Sequence, residues 1–236
     1  MADSLLVHSE VRCFDFKDAL VIPTAAGSCF WRKTLVKTAG SPTVAPSSNG
    51  VELAIDATSE AQAANLDNGD VLTFDIDDLI RLEGKVKLAN ATIDAGVDVV
   101  FGFAGAYNAN LDTIAQSCWL KCAGSNEIVL ETDDGTTNND DKATGLYLKN
   151  EWRKFAIDFS VGILSQAPPA ASAGGKASIR FSFETDMGQL MPVGETTNFS
   201  MADYAGALQL FAAVRKASGT GAETLYIKEL EATYRI

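Results

Sequence analysis

Apolar and polar residues alternate along this chain with a period of two, and no long stretch shows a helical period. Val97, Val99, Phe101 and Phe103 share one parity, which predicts a strand with one buried face. Arg153, Phe155, Ile157 and Phe159 repeat the pattern, with Arg153 expected at the sheet's rim. Ile179, Phe181 and Phe183 form a third set, interleaved with Ser178, Arg180 and Ser182. Over residues 208–214 both parities are apolar, Leu208, Leu210, Ala212 and Val214 against Phe211 and Ala213. That pattern predicts a strand covered on both faces or lying at an interface. In the last segment Leu225 and Ile227 share one parity, while Leu230, Ala232, Tyr234 and Ile236 share the other. A two-residue period changes phase only through an extra residue, so a β-bulge is expected near Lys228-Glu229.

Turn residues separate these runs. Asn49-Gly50, Asn68-Gly69-Asp70, Ala123-Gly124-Ser125-Asn126, Asp134-Gly135 and Gly174-Gly175 suit tight turns, because Gly, Asn and Asp tolerate positive φ. Many strands between such turns predict an all-β, antiparallel sandwich of the jelly-roll kind with one or two short helical turns. The helical turns are expected at Asp75 to Leu79, before a strand over 80–88, and at Met201 to Tyr204. Ser200 would cap the second, with Asp203 standing where a capping box has its carboxylate. Residues 39–49, 133–141 and 167–175 are expected as long loops. Alternation continues on both sides of each, so the expected organisation is an N-terminal arm, residues 1–12, and one sandwich domain, residues 13–236.

A chain of 236 residues buries roughly 70–75% of its unfolded surface and needs no disulfide or metal to fold. The hydrophobic fraction of 47% against 21% charged places it with globular chains. The opening Met1-Ala2-Asp3-Ser4-Leu5-Leu6-Val7-His8 lacks the basic start and long apolar stretch of a signal peptide. No apolar run approaches the roughly 20 residues of a membrane span. The net charge of −12, with scattered basic residues, argues against nucleic acid and anionic membranes as partners. Cys13, Cys29, Cys118 and Cys122 make no metal motif. On a strand Cys118 and Cys122 face the same way about 13 Å apart, too far to bridge, which predicts buried free thiols suited to a reducing cytoplasm.

Candidate chemistry is sparse. The one histidine, His8, makes a histidine-based triad or zinc site improbable, and Walker-type and dinucleotide glycine motifs are absent. Asp133, Asp134, Asp140 and Asp141 offer hard oxygen ligands suited to Ca²⁺, with Asn138 and Asn139 nearby, although their spacing is not that of an EF-hand and such loops also serve purely as turns. No other cofactor is expected. Glu131, Asp133, Asp158, Glu184 and Asp186 are the carboxylates available for glycoside hydrolysis, but the strand motif Glu-x-Asp-x-x-Glu does not occur, and the expectation is a protein that is not an enzyme. Trp31, Trp119 and Trp152 are candidates for a sugar-stacking platform, with core or rim packing the commoner use of such residues.

The chain resembles a group of head-decoration proteins of tailed bacteriophages. The resemblance is carried by residues 1–8, by Gly69-Asp70-Val71-Leu72-Thr73-Phe74-Asp75-Ile76-Asp77-Asp78-Leu79-Ile80-Arg81, by the acidic loop from Glu131 to Gly145, and by Trp152-Arg153-Lys154-Phe155-Ala156-Ile157-Asp158-Phe159. It implies a jelly roll related to lectin-like and laminin-G-like sandwiches. It also implies a virion structural protein that binds the major capsid protein on the outside of the shell, as a trimer or dimer, after synthesis in the host cytoplasm. Leu5, Leu6, Val7 and His8, in the arm, are the expected capsid contacts. The alternative reading is a carbohydrate-binding module or a receptor-recognition component of a virion.

Overall fold

The computed structural model describes residues 9–15, 22, 24, 31–69, 72–108, 110–159 and 175–235. Along the chain the strands are β1 (Ser9–Asp15), β2 (Arg32–Lys37), β3 (Thr43–Ser47), β4 (Gly50–Ile55), β5 (Gln62–Asp67), β6 (Phe74–Asp75), β7 (Leu79–Leu88) and β8 (Val97–Ala104). They continue as β9 (Ser117–Ala123), β10 (Glu127–Asp133), β11 (Asn138–Tyr147), β12 (Arg153–Asp158), β13 (Arg180–Glu184), β14 (Leu190–Val193), β15 (Ala207–Lys216) and β16 (Glu223–Arg235). They build two antiparallel sheets. The first runs β14-β13-β12-β7-β16-β4-β3, with β1 also on β16; the second runs β11-β10-β9-β8-β15-β5-β2, with β6 also on β15. The architecture is the antiparallel sandwich that the alternation predicts.

The expected inward residues do pack between the sheets. Phe101 of the second sheet meets Phe155 of the first at 4.9 Å between ring centroids, and Phe103 meets Phe159 edge-on at 5.8 Å. Cys118 and Cys122 both enter this core as free thiols, and burial pushes both pKa values up, so they are inert as nucleophiles. Cys29 lies outside the described residues, as do residues 1–8, which include all four expected capsid contacts; β1 begins within the segment read as an arm.

The bulge falls where the phase change requires it. Pairing of β16 with β7 shifts register between Ile227 and Glu229, so Leu225 and Ile227 before it and Leu230 and Ala232 after it are all buried. On its other side β16 pairs with β4 up to Ile227 and with β1 from Glu229 onward. The bulge is therefore also the point at which β16 changes neighbours. Gly50 sits against it with φ +106°, and a Cβ there would run into the backbone of Ile227 and Lys228. The Asn49-Gly50 turn thus serves two strands at once.

Three local expectations are corrected. Residues 39–49 are not a long loop: β3 occupies their centre, and Pro46 is accommodated because β3 is an edge strand. Residues 133–141 are a compact hairpin connection, with β11 starting at Asn138. The helical turns lie elsewhere, at Leu111–Thr113 and Gly175–Ala177. Asp75 to Leu79 is a single hydrogen-bonded turn, Asp78 N–H to Asp75 O at 3.0 Å. Met201 to Tyr204 is likewise one turn; Ser200 Oγ caps Ala202 N–H at 3.1 Å, but the amide of Asp203 bonds Asp134 and no capping box forms. At Asp75 to Leu79 the turn stays short because β6 ends at Asp75 and β7 begins at Leu79.

Substituting Gly50→Ala puts a side chain in a disfavoured backbone region and against a neighbouring strand. Chemical denaturation should show a loss of about 1–3 kcal/mol, with no change in slope.

Candidate functional site

The second sheet has an outer face as well as an inner one, and chemistry-bearing side chains converge there. Strand register sets them in rows. Arg32, Asp67, Phe211, Gly102, Trp119 and Glu131 stand in one row across six strands. Gly102 is where the row is thinnest: a Cβ at that position would meet Cys118 O at 2.5 Å, so the glycine allows close strand packing.

The centre of this face is apolar and covered. Residues 105–108 and 110–116 fold over it, and Leu111 and Ile114 pack with Val100, Ala104, Trp119, Phe211 and Ala213 in a second cluster separate from the main core. Trp119 is 1% exposed and lies 6.0 Å from Phe211, so it is no sugar platform. Two arginines pin the cover. Arg215 donates to Asp98 at 3.1 Å, to Asn110 at 2.7 Å and to Asp112 at 3.4 Å. Arg32 pairs with Asp67 at 2.8 Å and stacks on Tyr107 at 5.8 Å. Toward the end of β2 the cover leaves a hollow of about 450 Å³, lined by Val36, Ala61, Ala63, Arg215 and Ala217.

At the other end of the face lies the acidic group. The four aspartates of the sequence reading divide into two pairs. Asp133 and Asp134 shape the turn: Asp133 accepts from Gly135 N–H at 2.8 Å, and Asp134 from Thr136 and Thr137 N–H at 2.9 and 2.7 Å. Asp140 and Asp141 instead face Glu131, and one oxygen from each of the three carboxylates lies within 4.8 Å of the others. The ammonium of Lys121 stands among them, 3.5 Å from Glu131 and 3.1 Å from Asp141. Of the four aspartates considered from sequence as Ca²⁺ ligands, only Asp140 and Asp141 join this group, and they share it with an ammonium. Sequence reasoning missed Lys121, although a charged residue inside the apolar run Cys118-Trp119-Leu120-Lys121-Cys122 signals an internal partner.

One ammonium does not balance three carboxylates. Burial raises the pKa of Glu131 to about 7; Lys121 and the indole N–H of Trp119, which points toward Glu131 without a well-formed hydrogen bond, pull it down, and Asp140 pushes it up. Burial disfavours the charge on Lys121, but Glu131, Asp141 and Asp140 outweigh that and raise its pKa. Glu131 thus holds its proton to higher pH than an ordinary carboxyl, and the carboxylates around Lys121 favour its charged form.

The remaining candidates are engaged structurally. Asp158 takes both its bonds from Arg81, at 2.6 and 2.7 Å. Glu184 accepts from Lys154 N–H at 2.7 Å, and Asp186 pairs with Arg153 at 2.5 Å. Arg153 is buried at the start of β12, with its head group turned out to the carboxylates at the rim. Trp31 is buried, while Trp152 is half-exposed on the outer face of the first sheet, where Lys87 and Lys228 lie 5.2 and 5.9 Å from its ring and Lys87 also lies 4.9 Å from Tyr226.

Two antiparallel sheets of this order make a lectin-like jelly-roll β-sandwich. Solved structures of that kind superpose on nearly the whole chain. Peanut lectin gives a TM-score of 0.58 over 96% of this chain and 99% of its own, at 8% identity. The β-glucanase of Bacillus licheniformis gives 0.54 over 95% and 97%, at 13% identity. A protein of unknown function from Shewanella oneidensis MR-1 gives 0.60 over all of this chain and 90% of its own, at 11% identity. No family model matches the chain, and no curated protein matches its sequence. At such identities the likeness establishes the fold alone.

The Glu131 carboxyl makes a pH signature. Its folded pKa, near 7, exceeds the ordinary value of 4.5, so between those values the unfolded state releases the proton first. Stability from this group is highest below about pH 4.5 and falls as pH rises toward 7. Glu131→Gln removes that fall. Comparing urea melts of the two proteins from pH 4.5 to 7.5, their stability difference should shift toward the variant by on the order of 1–3 kcal/mol.

Proposed function

We propose that this chain is a non-enzymatic decoration protein of a tailed-phage head, made in the host cytoplasm and bound to the outer surface of the major capsid protein shell. The observation that carries the reading is the filling of the second sheet's outer face. Its tryptophan is under a cover, its carboxylates hold a lysine, and its arginines tie the cover down. The described large apolar side chains that stay exposed, Leu35, Val36, Tyr147, Met187 and Met191, lie instead on edge strands or the turn beside one. Such a molecule offers its rims to other proteins.

Two of the segments that carry the resemblance to head-decoration proteins meet in the fold. The segment ending at Arg81 and the segment from Trp152 are neighbours in the first sheet, joined by the bidentate Arg81–Asp158 pair. The net charge of −12 favours an outward position over one lining packaged DNA. Particles carrying the protein, imaged at subnanometre resolution, should show it at regular positions outside the shell. Heads that form with the protein present in the lysate but absent from their surface would overturn the reading.

One observation favours a second reading, carbohydrate binding. Trp152 and Tyr226 stand on the open face of the first sheet, and similar folds include peanut lectin and the carbohydrate recognition domain of Emp47p. On a glycan array, binding that Trp152→Ala weakens about tenfold or more would support it, since losing a stacked ring costs of order 1–3 kcal/mol. No glycan retained by the unaltered protein would sink it.

A further inference from the structure

The two rims of the sandwich differ in charge, and both are apolar at their centres. At one rim β2 and β3 lie side by side, with Lys33 Nζ 3.5 Å from Val44 O. Residues 31–51 contain Lys33, Lys37 and Arg32, the last already paired with Asp67, and no acidic residue, in a chain with 31 acidic residues. At the opposite rim are β11 and β14, and Tyr147 lines one small pocket with Glu184, Thr185 and Asp186. Residues 127–147 hold six carboxylates and one lysine, and residues 184–200 add three carboxylates and no base.

The exposed apolar groups divide the same way. Leu35 and Val36 are 40% and 36% exposed on the basic rim; Tyr147, Met187 and Met191 are 47%, 80% and 46% exposed on the acidic rim. The hollow of about 450 Å³ that Val36 lines opens beside the basic rim and has room for an aromatic side chain. Edge lysines deter strand addition by a like strand, but they attract an acidic face. The first sheet's edges carry Pro46 and Pro192, which remove donors from both. The second sheet's edges, β2 and β11, carry no proline.

We propose that the basic β2 rim of one copy docks against the acidic β11 rim of a second copy, head to tail, with Leu35 and Val36 meeting Tyr147 and Met191. The contact is heterologous, so an open chain of copies keeps one free rim at each end until it closes into a ring. It does not depend on the shell-binding reading, because it needs only this chain in solution.

The test uses the purified full chain and light scattering or sedimentation. The unaltered protein should self-associate with rising concentration, and association should weaken at about 1 M salt, where charges are screened beyond about 3 Å. Lys33→Glu with Lys37→Glu spoils only the basic rim; Tyr147→Ser with Met191→Ser spoils only the acidic one. Each double variant alone should stay monomeric, and an equimolar mixture should form one-to-one pairs, because each variant still supplies one intact rim. That complementation also shows that both variants are folded. A monomeric parent protein up to about 0.5 mM, near the weak limit of measurable contacts, overturns the proposal. So does self-association that survives in either variant, or a mixture that stays monomeric.

Discussion

β15 carries apolar side chains on both faces, and the rest of the second sheet is arranged around covering them. Leu208, Leu210, Ala212 and Val214 enter the core between the sheets, while Phe211 and Ala213 point outward beside Trp119 and Val100. Fully burying a large apolar side chain is worth about 1.5–3 kcal/mol. Leaving Phe211, Trp119, Leu111 and Ile114 wet would forfeit free energy comparable to the whole stability of a typical domain, about 5–15 kcal/mol. Residues 110–116 must therefore lie down on this face. Once they do, a sheet that would otherwise present a broad ligand surface is closed at its centre, and Arg215 and Arg32 hold the closure with side chains that bridge sheet and cover.

The same economy governs charge. In an acidic chain several lysines are turned inward as fixed cations. Lys216 is buried and donates to the carbonyls of Asp56, Thr58 and Gly221, drawing two loops together at the end of the sandwich. Lys176 bonds Tyr204 O and pairs with Asp77 at 2.9 Å, and Lys121 holds the acidic group beside β11. An ammonium surrounded by oxygens does what a structural metal does in other loop-rich folds, without needing to be acquired.

Much of the fold was legible because period-two alternation records which face each residue meets. The phase change between Ile227 and Leu230 located the bulge, and the two-sided run at 208–214 announced a doubly covered strand. Proline and turn residues misled where an edge strand tolerates what an inner strand does not, as with Pro46 in β3. The acidic hairpin was harder for a different reason. Composition marks Asp133, Asp134, Asp140 and Asp141 as one group, but register assigns the first two to the turn and sets the other two against Glu131. Pairing across strands is not written in local sequence, and neither was the arrival of Lys121 from β9. The cover was unreadable for the same reason: Leu111 and Ile114 sit in a stretch with no strong period, and only the outward-facing Phe211 and Trp119 give them a partner.

A sandwich of this kind constrains the position of strands far more than the chemistry laid on them. Peanut lectin and a bacterial β-glucanase share the arrangement with this chain at 8% and 13% identity, and a lectin and a glucanase already differ in activity. Function must then be argued from the side chains. Three carboxylates close enough to grip a divalent cation, or to divide acid and nucleophile roles, are here given a lysine, and the chemistry changes with it. Burial raises the proton affinity of Glu131, and Asp140 and Asp141 form an acidic wall on Tyr147's own strand. A wall of that sign facing outward at one rim, with a stretch free of carboxylates at the other, biases the molecule toward contacts between rims, where long-range attraction orients the partner before the apolar groups meet.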